Sequence, residues 1–415
     1  MKILFVLLSL LLLSAVAREM KIGEFMKTAN SYEAEVEATD VFKSFRVIVR
    51  SKGYAFESHK VLTDDGYWLT AFRIPGKKGE TREEAVAENR PVVYLQHGVL
   101  DSADTFIVNF EDQSPAFLLA NAGYDVWLGN TRGNKYSRDH QWLDPDDKQD
   151  ETAFWDFDFE DMSDYDVTAN IDYILKTTGK QKLGVVAHSQ GTTQMFIKMA
   201  EYNDWWNERV AIFACLAGVA QLNHCSSTIL TTLSSQTFLI NSVKRVGLYE
   251  LLSSNHLQNV AIGSICMVVP QLCNFFVSLI SDSDTSLNAN DRISVFMSHY
   301  PAGTSLRSLD HFGQIIREKT FSKYDYGEKI NMEKYGQKTP PVIDISNIKN
   351  SKTIQIIGTT DRLSTVEDNK WLTEQLGDNL IYSQSYPLGH MSFMLARDMT
   401  YFHDVMRLFK EHRWE

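Results

Sequence analysis

Ser189 lies in a pattern that could make it a nucleophile. The short apolar run Leu183 to Val186 is typical of a buried strand, and Ala187-His188-Ser189-Gln190-Gly191 follows it directly. From Thr192 to Tyr202 the apolar residues recur at helical spacing. A serine in a tight turn between a strand and a helix, with small residues on either side, exposes its hydroxyl and points the next backbone N–H at the same place. The pattern predicts such a turn here.

Asp361 and His390 could complete a catalytic triad with this serine. The β-rich run Thr353 to Ile357 leads into Gly358-Thr359-Thr360-Asp361, and Leu380 to Tyr386 leads into Pro387-Leu388-Gly389-His390. Both candidates therefore follow a predicted strand, where an open α/β sheet presents its functional groups. Taken singly, Asp361 could be a turn former and His390 a loop histidine. Together they have the order serine, acid, histidine that this type of turn requires in α/β hydrolases.

The chemistry needs all three groups. A serine hydroxyl is a weak nucleophile at neutral pH, so a histidine must take its proton. A carboxylate must hold the imidazole in the right tautomer and stabilise its charged form. We therefore interpret Ser189 as nucleophile, His390 as base and Asp361 as the residue that orients the base.

A glycine after another predicted strand suggests an oxyanion hole. The β-rich run Pro91 to Leu95 leads into Gln96-His97-Gly98-Val99. A loop of this kind supplies one backbone N–H for the oxyanion, and the residue after the nucleophile supplies the other. We predict the N–H groups of Val99 and Gln190. The alternative is an ordinary glycine turn after a strand.

From about Gly53 to its C-terminus, the chain resembles the acid lipases, the family that includes gastric lipase and lysosomal acid lipase. The resemblance is carried by several segments: GYAFESHKVLTDDGYWLTAFRIP, LQHGVLDSADTF, LANAGYDVWLGNTRGNKYSRDH, FWDFDFEDMSDYDVTANIDYIL, AHSQGTT and SHYPAGTS. It implies an α/β-hydrolase core with a mostly parallel central sheet and an inserted helical cap. It also implies that Ser189, Asp361 and His390 form the triad, that Val99 and Gln190 form the oxyanion hole, and that no metal or organic cofactor is needed.

The chain departs from the family pattern at a few positions. Ala187 stands where Gly is usual, and Val99 where Leu is common; neither change removes a reacting group, because the oxyanion hole uses backbone N–H groups. Near the histidine, Gly389-His390-Met391-Ser392 stands where the family often has Asn-His-Leu-Asp. The neighbouring carboxylate of the family therefore has no counterpart at Ser392.

The first residues indicate a secretory signal peptide, residues 1–17. Lys2 precedes the apolar run Ile3 to Leu13, and Ala15-Val16-Ala17 forms an A-x-A cleavage site. The run is short for a transmembrane helix, although a retained anchor is the alternative. We expect an extracellular or lysosomal protein.

That compartment permits disulfide bonds. The chain has 4 cysteines, Cys215, Cys225, Cys266 and Cys273, which allow three pairings. The acid lipases carry a bridge in the segment that contains Cys266 and Cys273, so the resemblance implies that pair. Cys215 follows a buried-looking run and is either a free thiol or the partner of Cys225.

Changes in composition along the chain predict its domains. Alternating strand and helix patterns from Val92 to Val219 return at Thr353, and helical, apolar sequence lies between. We expect the first part of the core at 18–219, a helical cap at 220–345 and the second part of the core at 346–415. Within the cap, 251–281 is a candidate lid that would open at a lipid surface. The alternative is that its apolar segment is a core helix of the cap.

The charge restricts the partners. The net charge is −12, from 41 basic and 53 acidic residues, which argues against nucleic acid and against docking on anionic membranes by charge. No stable protein partner is implied, and the expected partner is a neutral lipid at a lipid–water interface. The function that these features favour is hydrolysis of triacylglycerol or cholesteryl esters. The alternatives are a carboxylesterase or sterol esterase of narrower range, and an inactive relative that binds lipid.

Overall fold

The computed structural model describes residues 38–227, 230–231, 234, 249–252 and 256–414. The predicted signal peptide and part of the predicted cap lie outside the described residues. The first half contains β1 to β7 and α1 to α8. Its strands are β1 (Glu57–Leu62), β2 (Tyr67–Ile74), β3 (Val92–Gln96), β4 (Asp125–Leu128), β5 (Asp139–His140), β6 (Leu183–His188) and β7 (Val210–Leu216). Its helices are α1 (Phe45–Ser51), α2 (Arg82–Ala87), α3 (Pro115–Asn121), α4 (Glu151–Phe154), α5 (Phe159–Asp161), α6 (Thr168–Thr178), α7 (Gln190–Glu201) and α8 (Asn203–Arg209).

The second half contains the remaining strands and α-helices of the described residues. Its strands are β8 (Glu250–Leu251), β9 (Thr304–Ser305), β10 (Thr353–Gly358) and β11 (Leu380–Tyr386). Its helices are α9 (His256–Val268), α10 (Pro270–Ile280), α11 (Ile293–His299), α12 (Leu306–Glu318), α13 (Glu328–Tyr335), α14 (Val366–Leu376), α15 (Ser392–Leu395) and α16 (Thr400–Glu411). Between β7 and β10 the described chain is largely helical.

The central sheet has the strand order β1-β2-β4-β3-β6-β7-β10-β11, and β5 pairs with β2. All neighbours from β4 to β11 run parallel, whereas β2 is antiparallel to β1, β4 and β5. The prediction of a mostly parallel α/β-hydrolase sheet is confirmed. Because the strands are parallel, the residues that follow β3, β6 and β10 emerge at one edge of the sheet.

The inner strands are buried on both faces, as their apolar runs predict. Tyr94 and Val185 belong to one apolar cluster of the core, and their sequence neighbours Val93 and Val186 belong to the other. Successive side chains of a strand alternate between faces, so the sheet separates two layers of core. This double burial fixes the strands that carry the functional loops.

A π-helical segment, Met162–Val167, joins α5 to α6. The segment packs on α7, where the Ser163 hydroxyl donates to the carbonyl of Gln194 at 2.8 Å. It therefore braces the helix that follows Ser189.

α9 and α10 meet at a sharp bend, with an angle of 112° between Gln258–Val268 and Pro270–Ile280. Among the described residues no single helix has the length and apolarity needed to cross a membrane, although this bent pair meets that test when its two helices are taken together. Pro270 occupies the first turn of α10, where its missing N–H costs nothing. The bend directs apolar side chains of both helices outward, as described below.

Candidate active site

The turn after β6 holds Ser189 in a strained backbone conformation, with φ 53° and ψ −123°. A non-glycine residue with positive φ is uncommon and costs about 1–3 kcal/mol, so surrounding contacts must maintain it. The N–H of Ser189 donates to the carbonyl of Leu216 on β7 at 3.1 Å, and its carbonyl accepts from the Thr192 hydroxyl at 2.6 Å. These bonds clamp both sides of the turn.

Gly191 is required by close packing against the loop after β3. A Cβ at this position would lie 2.7 Å from the carbonyl oxygen of Gln96 and 2.8 Å from that of His97. Both are backbone atoms that cannot move aside cheaply. The tight turn predicted from the sequence thus depends on this glycine, whereas position 187 accommodates a fully buried alanine.

Ser189, His390 and Asp361 form one hydrogen-bonded chain. The Ser189 hydroxyl donates to Nε2 of His390 at 2.7 Å, and Nδ1–H of His390 donates to Asp361 Oδ2 at 2.8 Å. The structure therefore brings together three residues separated by up to 201 positions. In this arrangement the imidazole can take the serine proton, while the carboxylate fixes its tautomer.

The two carboxylate oxygens of Asp361 have different hydrogen-bond partners. Oδ1 accepts from the backbone N–H groups of Leu363 at 2.7 Å and Ser364 at 2.9 Å, which leaves Oδ2 for His390. The N–H of Thr360 donates to the carbonyl of Leu388 at 3.0 Å. The loops that carry the acid and the histidine are thus joined through their backbones.

Burial and charge act in opposite directions on His390. Burial lowers its pKa, but the nearby carboxylates, chiefly Asp361, together outweigh burial and raise the pKa above the ordinary value of 6.5. A raised pKa means that the charged imidazolium, which forms when the serine attacks, is stabilised in place. His390 and Ser189 are only 2% and 6% exposed, so this chemistry is closed off from bulk water.

His188, directly before the serine, supports the histidine loop. Its Nε2–H donates to the carbonyl oxygen of His390 at 2.9 Å. Burial holds the pKa of His188 well below its usual range, so the ring stays neutral. No local sequence pattern indicates this contact of His188 across the site.

The loop after β3 approaches Ser189 closely. A Cβ on Gly98 would lie 3.0 Å from Cβ of Ser189 and 3.4 Å from its Oγ. This places the backbone of the Gly98–Val99 segment beside the nucleophile. Gln190 is the first residue of α7, and the N–H groups of a first helical turn have no partner inside the helix. Both predicted oxyanion N–H groups thus lie next to the serine in the chain or in space.

Two of the segments that carry the family resemblance hold this loop. From the GNTRGN segment, the backbone N–H of Thr131 donates to Nε2 of His97 at 3.2 Å, and Nδ1–H of His97 donates to the carbonyl of Gly98 at 2.8 Å. From SHYPAGTS, the N–H of Ala302 donates to the carbonyl of Leu100 at 2.7 Å. Burial lowers the pKa of His97 to about 4, so it remains a neutral brace. The sequence pattern indicates the segments but not this role.

Cys266 and Cys273 are joined by a disulfide bond. Cys266 lies near the end of α9 and Cys273 in α10, so the bond ties the two helices across their bend. The sequence placed both residues in one apolar segment but gave no indication of the bend. Cys215, which is buried, and Cys225, which is half-buried, are both free thiols.

Comparisons with known proteins identify the class. A family model described as "alpha/beta hydrolase fold" matches residues 91–396, and one described as "Partial alpha/beta-hydrolase lipase region" matches residues 45–110. The fold resembles the solved structure of a soluble variant of monoglyceride lipase from Saccharomyces cerevisiae, with a TM-score of 0.52 and 14% identity, covering 88% of this chain and 97% of that one. The chain is therefore an α/β hydrolase.

Sequence relatives narrow the class further. The chain is 36% identical to lipase member K of Mus musculus over 370 residues, covering 86% of this chain and 89% of that protein. It is 35% identical to gastric triacylglycerol lipase of Mus musculus over 352 residues, covering 83% and 86%. The chain belongs to the lipase family that includes these proteins, as its resemblance to acid lipases predicted, and this family consists of serine ester hydrolases.

Proposed function

We propose that the protein hydrolyses ester bonds of neutral lipids, triacylglycerol or cholesteryl ester, with Ser189 as the nucleophile. The observation that carries this proposal is the hydrogen-bonded chain from the Ser189 hydroxyl through His390 to Asp361. The relatives include gastric triacylglycerol lipase, which supports the substrate class. An inactive lipid-binding relative would not need this intact arrangement.

The reaction follows from the roles of these atoms. His390 Nε2 takes the proton as Ser189 Oγ attacks the ester carbonyl, and the N–H groups of Val99 and Gln190 receive the developing oxyanion. The imidazolium then returns the proton to the leaving alcohol, which leaves an acyl-serine. Water, deprotonated by the same imidazole, attacks the acyl group and releases the fatty acid and the free serine.

We infer that residues 251–281 act as a lid within a cap at 220–345, inserted between core segments 18–219 and 346–415. Cys273 and Val277 of α10 belong to an apolar cluster that also contains Leu395 and touches Met391, the residue after His390. The helix thus packs on the loop that carries the base. Ser189 is 6% exposed. We therefore infer that α10 covers the serine until the lid opens for a substrate as large as a lipid ester.

The bend between α9 and α10 carries an exposed apolar surface, which we call the lid tip: Met267, Val268, Val269 and Phe275, exposed by 37%, 69%, 43% and 56%. Burying such side chains in lipid gains roughly 25 cal/mol per Å² of apolar area. This gain can offset the contacts that opening breaks. The lid tip supports a lipid–water interface as the place of action.

We also propose that the chain enters the secretory pathway, by cleavage after Ala17, and works in the extracellular space or the lysosomal lumen. The Cys266–Cys273 bond suits an oxidising compartment. N-terminal sequencing of the mature protein should begin at Arg18. A mature chain that still begins at Met1 would contradict the proposed route.

A substrate panel tests the function. The wild type is assayed from acid to neutral pH, with Ser189→Ala as the blank. The substrates are emulsified triolein, emulsified cholesteryl oleate and a short soluble p-nitrophenyl ester. We expect hydrolysis of at least one emulsified ester at a higher rate above the concentration at which an interface forms. Activity confined to the soluble ester would instead support a carboxylesterase, and no activity on any ester would support a lipid-binding relative.

A further inference from the structure

Asp282 is a buried carboxylate that lies between the end of α10 and the loop of His390. It is the second residue after α10 and is fully buried. Its Oδ1 accepts from the backbone N–H of Met391 at 2.9 Å, directly after the histidine. Its Oδ2 accepts from the Asn288 amide at 3.3 Å and from the Ser392 hydroxyl at 3.4 Å. A buried charge is costly unless its oxygens are satisfied, and these donors satisfy them.

Gly389 makes room for this carboxylate. A Cβ at position 389 would lie 2.4 Å from Cγ and 2.7 Å from Oδ1 of Asp282, closer than real atoms approach. The N–H of Gly389 is held by the hydroxyl of Ser392 at 3.0 Å. The sequence Gly389-His390-Met391-Ser392 therefore fits a carboxylate that comes from a distant part of the chain.

The backbone around Asp282 is also fixed to the loop of Asp361. Asp282 and Asp361 form an antiparallel bridge. The N–H of Ser283 donates to the carbonyl of Thr360 at 2.9 Å, and the N–H of Arg362 donates to the carbonyl of Ser281 at 2.9 Å. One short segment thus contacts the loops of both the acid and the histidine.

We propose that Asp282 is a positioning residue for His390: it holds the histidine loop through Met391 and places a second carboxylate behind the imidazole. The proposal rests on the proposed function, because it assigns a role relative to Ser189 and His390. It differs from a purely structural role in that the negative charge itself matters. Asp361 touches the imidazole and orients it, whereas Asp282 acts on it from the loop.

The charges around His390 support this role. Burial raises the pKa of Asp282, and the Asp361 carboxylate raises it further, while the nearby His390 favours the charged form. Asp282 in turn contributes to the raised pKa of His390, after burial and the larger effect of Asp361. Other charged or titratable groups on the packed elements include His188, whose ring is neutral, Arg362, which donates to the carbonyl of Ser278, and Arg397, which donates to that of Asn288. Asp284 on the same segment is exposed, and Cys225 lies near Asp361.

The proposal is tested by the rate at which a p-nitrophenyl alkylphosphonate modifies the wild-type serine as a function of pH. This soluble probe needs His390 as base but no lipid interface. Asp282→Asn keeps an acceptor for Met391 N–H and removes the charge. The imidazolium then loses part of its stabilisation, so we expect the acid limb of the rate profile to move down by about half a pH unit or more. The plateau rate should fall several-fold.

The matched control is Asp284→Asn, on the same segment but exposed, where the carboxylate bonds only within its own turn to Ser286 among the contacts described. It should keep the wild-type limb and plateau. Gly389→Ala is the second variant: it retains the Asp282 carboxylate but displaces it, and should shift the limb in the same direction as Asp282→Asn. If Asp282→Asn does not fold, the acid limb of Gly389→Ala tests the proposal in its place.

The outcomes separate this inference from the proposed function. A wild-type enzyme that the phosphonate does not modify at Ser189 would contradict the proposed function. If the wild type reacts with a clear acid limb and folded Asp282→Asn shows the same limb, only the role of Asp282 is overturned. If Asp282→Asn does not fold, an unchanged limb in Gly389→Ala has the same meaning. Slowing of Asp282→Ala without any shift in Asp282→Asn would likewise reduce Asp282 to a structural residue.

Discussion

At the scale of single residues, the serine turn makes the sharpest prediction. Ser189→Ala removes the attacking oxygen, so turnover of any ester should fall by a factor of about 10⁶. The strained turn should persist, because its clamping bonds use backbone atoms and Thr192 rather than the Ser189 hydroxyl. Ser385→Ala, an exposed serine on β11, is the control and should behave as wild type. A variant that retained a tenth of wild-type activity would exclude Ser189 as nucleophile.

The base and its orienting acid should differ in their effects. His390→Ala should be as damaging as Ser189→Ala, whereas Asp361→Asn should cost about 10⁴ in turnover and leave some activity. In the wild type, activity on a soluble ester should fall as the pH drops through the raised pKa of His390, because the imidazolium cannot accept a proton. Asp361→Asn removes the largest effect that raises this pKa, so its acid limb should lie at lower pH.

Initial rates from pH 4 to 9 on a soluble ester measure both effects. A fully active His390→Ala would show that the base lies elsewhere. His188 is then the first residue to test, since its ring lies next to that of His390, with 4.9 Å between the ring centroids. His299 is the next, although its Nδ1 is paired with Asp104 at 3.2 Å.

At the scale of secondary-structure elements, the exposed apolar lid tip predicts that activity depends on a lipid–water interface. Val268→Ser combined with Phe275→Ser removes apolar surface that is already exposed, so the fold should be unaffected. We expect activity on emulsified triolein to fall about tenfold or more, since each lost apolar side chain removes roughly 1 kcal/mol or more of lipid contact. Activity on a short soluble ester should stay within about twofold.

The control for this experiment is Val342→Ser, because Val342 is 64% exposed, close to the 69% of Val268, but lies outside α9 and α10. It should leave both activities unchanged. Equal losses on both substrates in the lid-tip variant would indicate a damaged cap. No loss on either substrate would exclude an interfacial role for the bend.

The elements that carry the site were largely predictable from sequence, because each strand is a short run of apolar or β-favouring residues with a turn at its end. β11 (Leu380–Tyr386) has the bounds predicted, and β6 extends its predicted strand only as far as His188. The order of the loops then follows from the order of the strands. Local sequence patterns are sufficient to predict a strand and the loop after it when both lie within one short stretch of the chain.

Contacts between distant segments were not predictable in this way. No local pattern brings Asp282 to the loop of His390, since the two residues belong to different segments and meet only through the packing of α10. The π-helical segment Met162–Val167 and the bend at Val269 also depend on what they pack against. The ring of His97, which donates to Gly98, accepts from Thr131 of the distant GNTRGN segment.

At the scale of the whole molecule, buried carboxyl groups couple stability to pH. Burial raises the pKa of Asp101, beside the predicted oxyanion loop, to about 7, far above the unfolded value of about 3.9. The folded state therefore binds this proton more tightly, and its stability falls as the pH rises from about 4 through 7. The buried histidines His97 and His188 have lowered pKa values and act in the opposite direction below about pH 6.5.

Asp101→Asn isolates this contribution, because the amide can still accept the bond from Ser102 N–H that Oδ1 accepts at 2.8 Å. At pH 8 the variant should unfold at a higher temperature than the wild type, corresponding to at least about 1.4 kcal/mol of stability. At pH 5 the gap should be smaller, because the folded wild-type group is then protonated and only ionisation in the unfolded state still lowers its stability. Thermal unfolding across this range measures the difference. A gap that does not change with pH would contradict the assignment of the proton to Asp101.

Direct labelling tests whether Ser189 is the nucleophile of an ester hydrolase. The most direct measurement is stoichiometric reaction with a p-nitrophenyl alkylphosphonate, followed by mass spectrometry of the intact protein and of its peptides. We expect one p-nitrophenolate released per enzyme, complete loss of triolein hydrolysis, and a single adduct on the peptide that contains Ser189. Loss of activity with the adduct on another residue, or full activity after Ser189 has been modified, would contradict it.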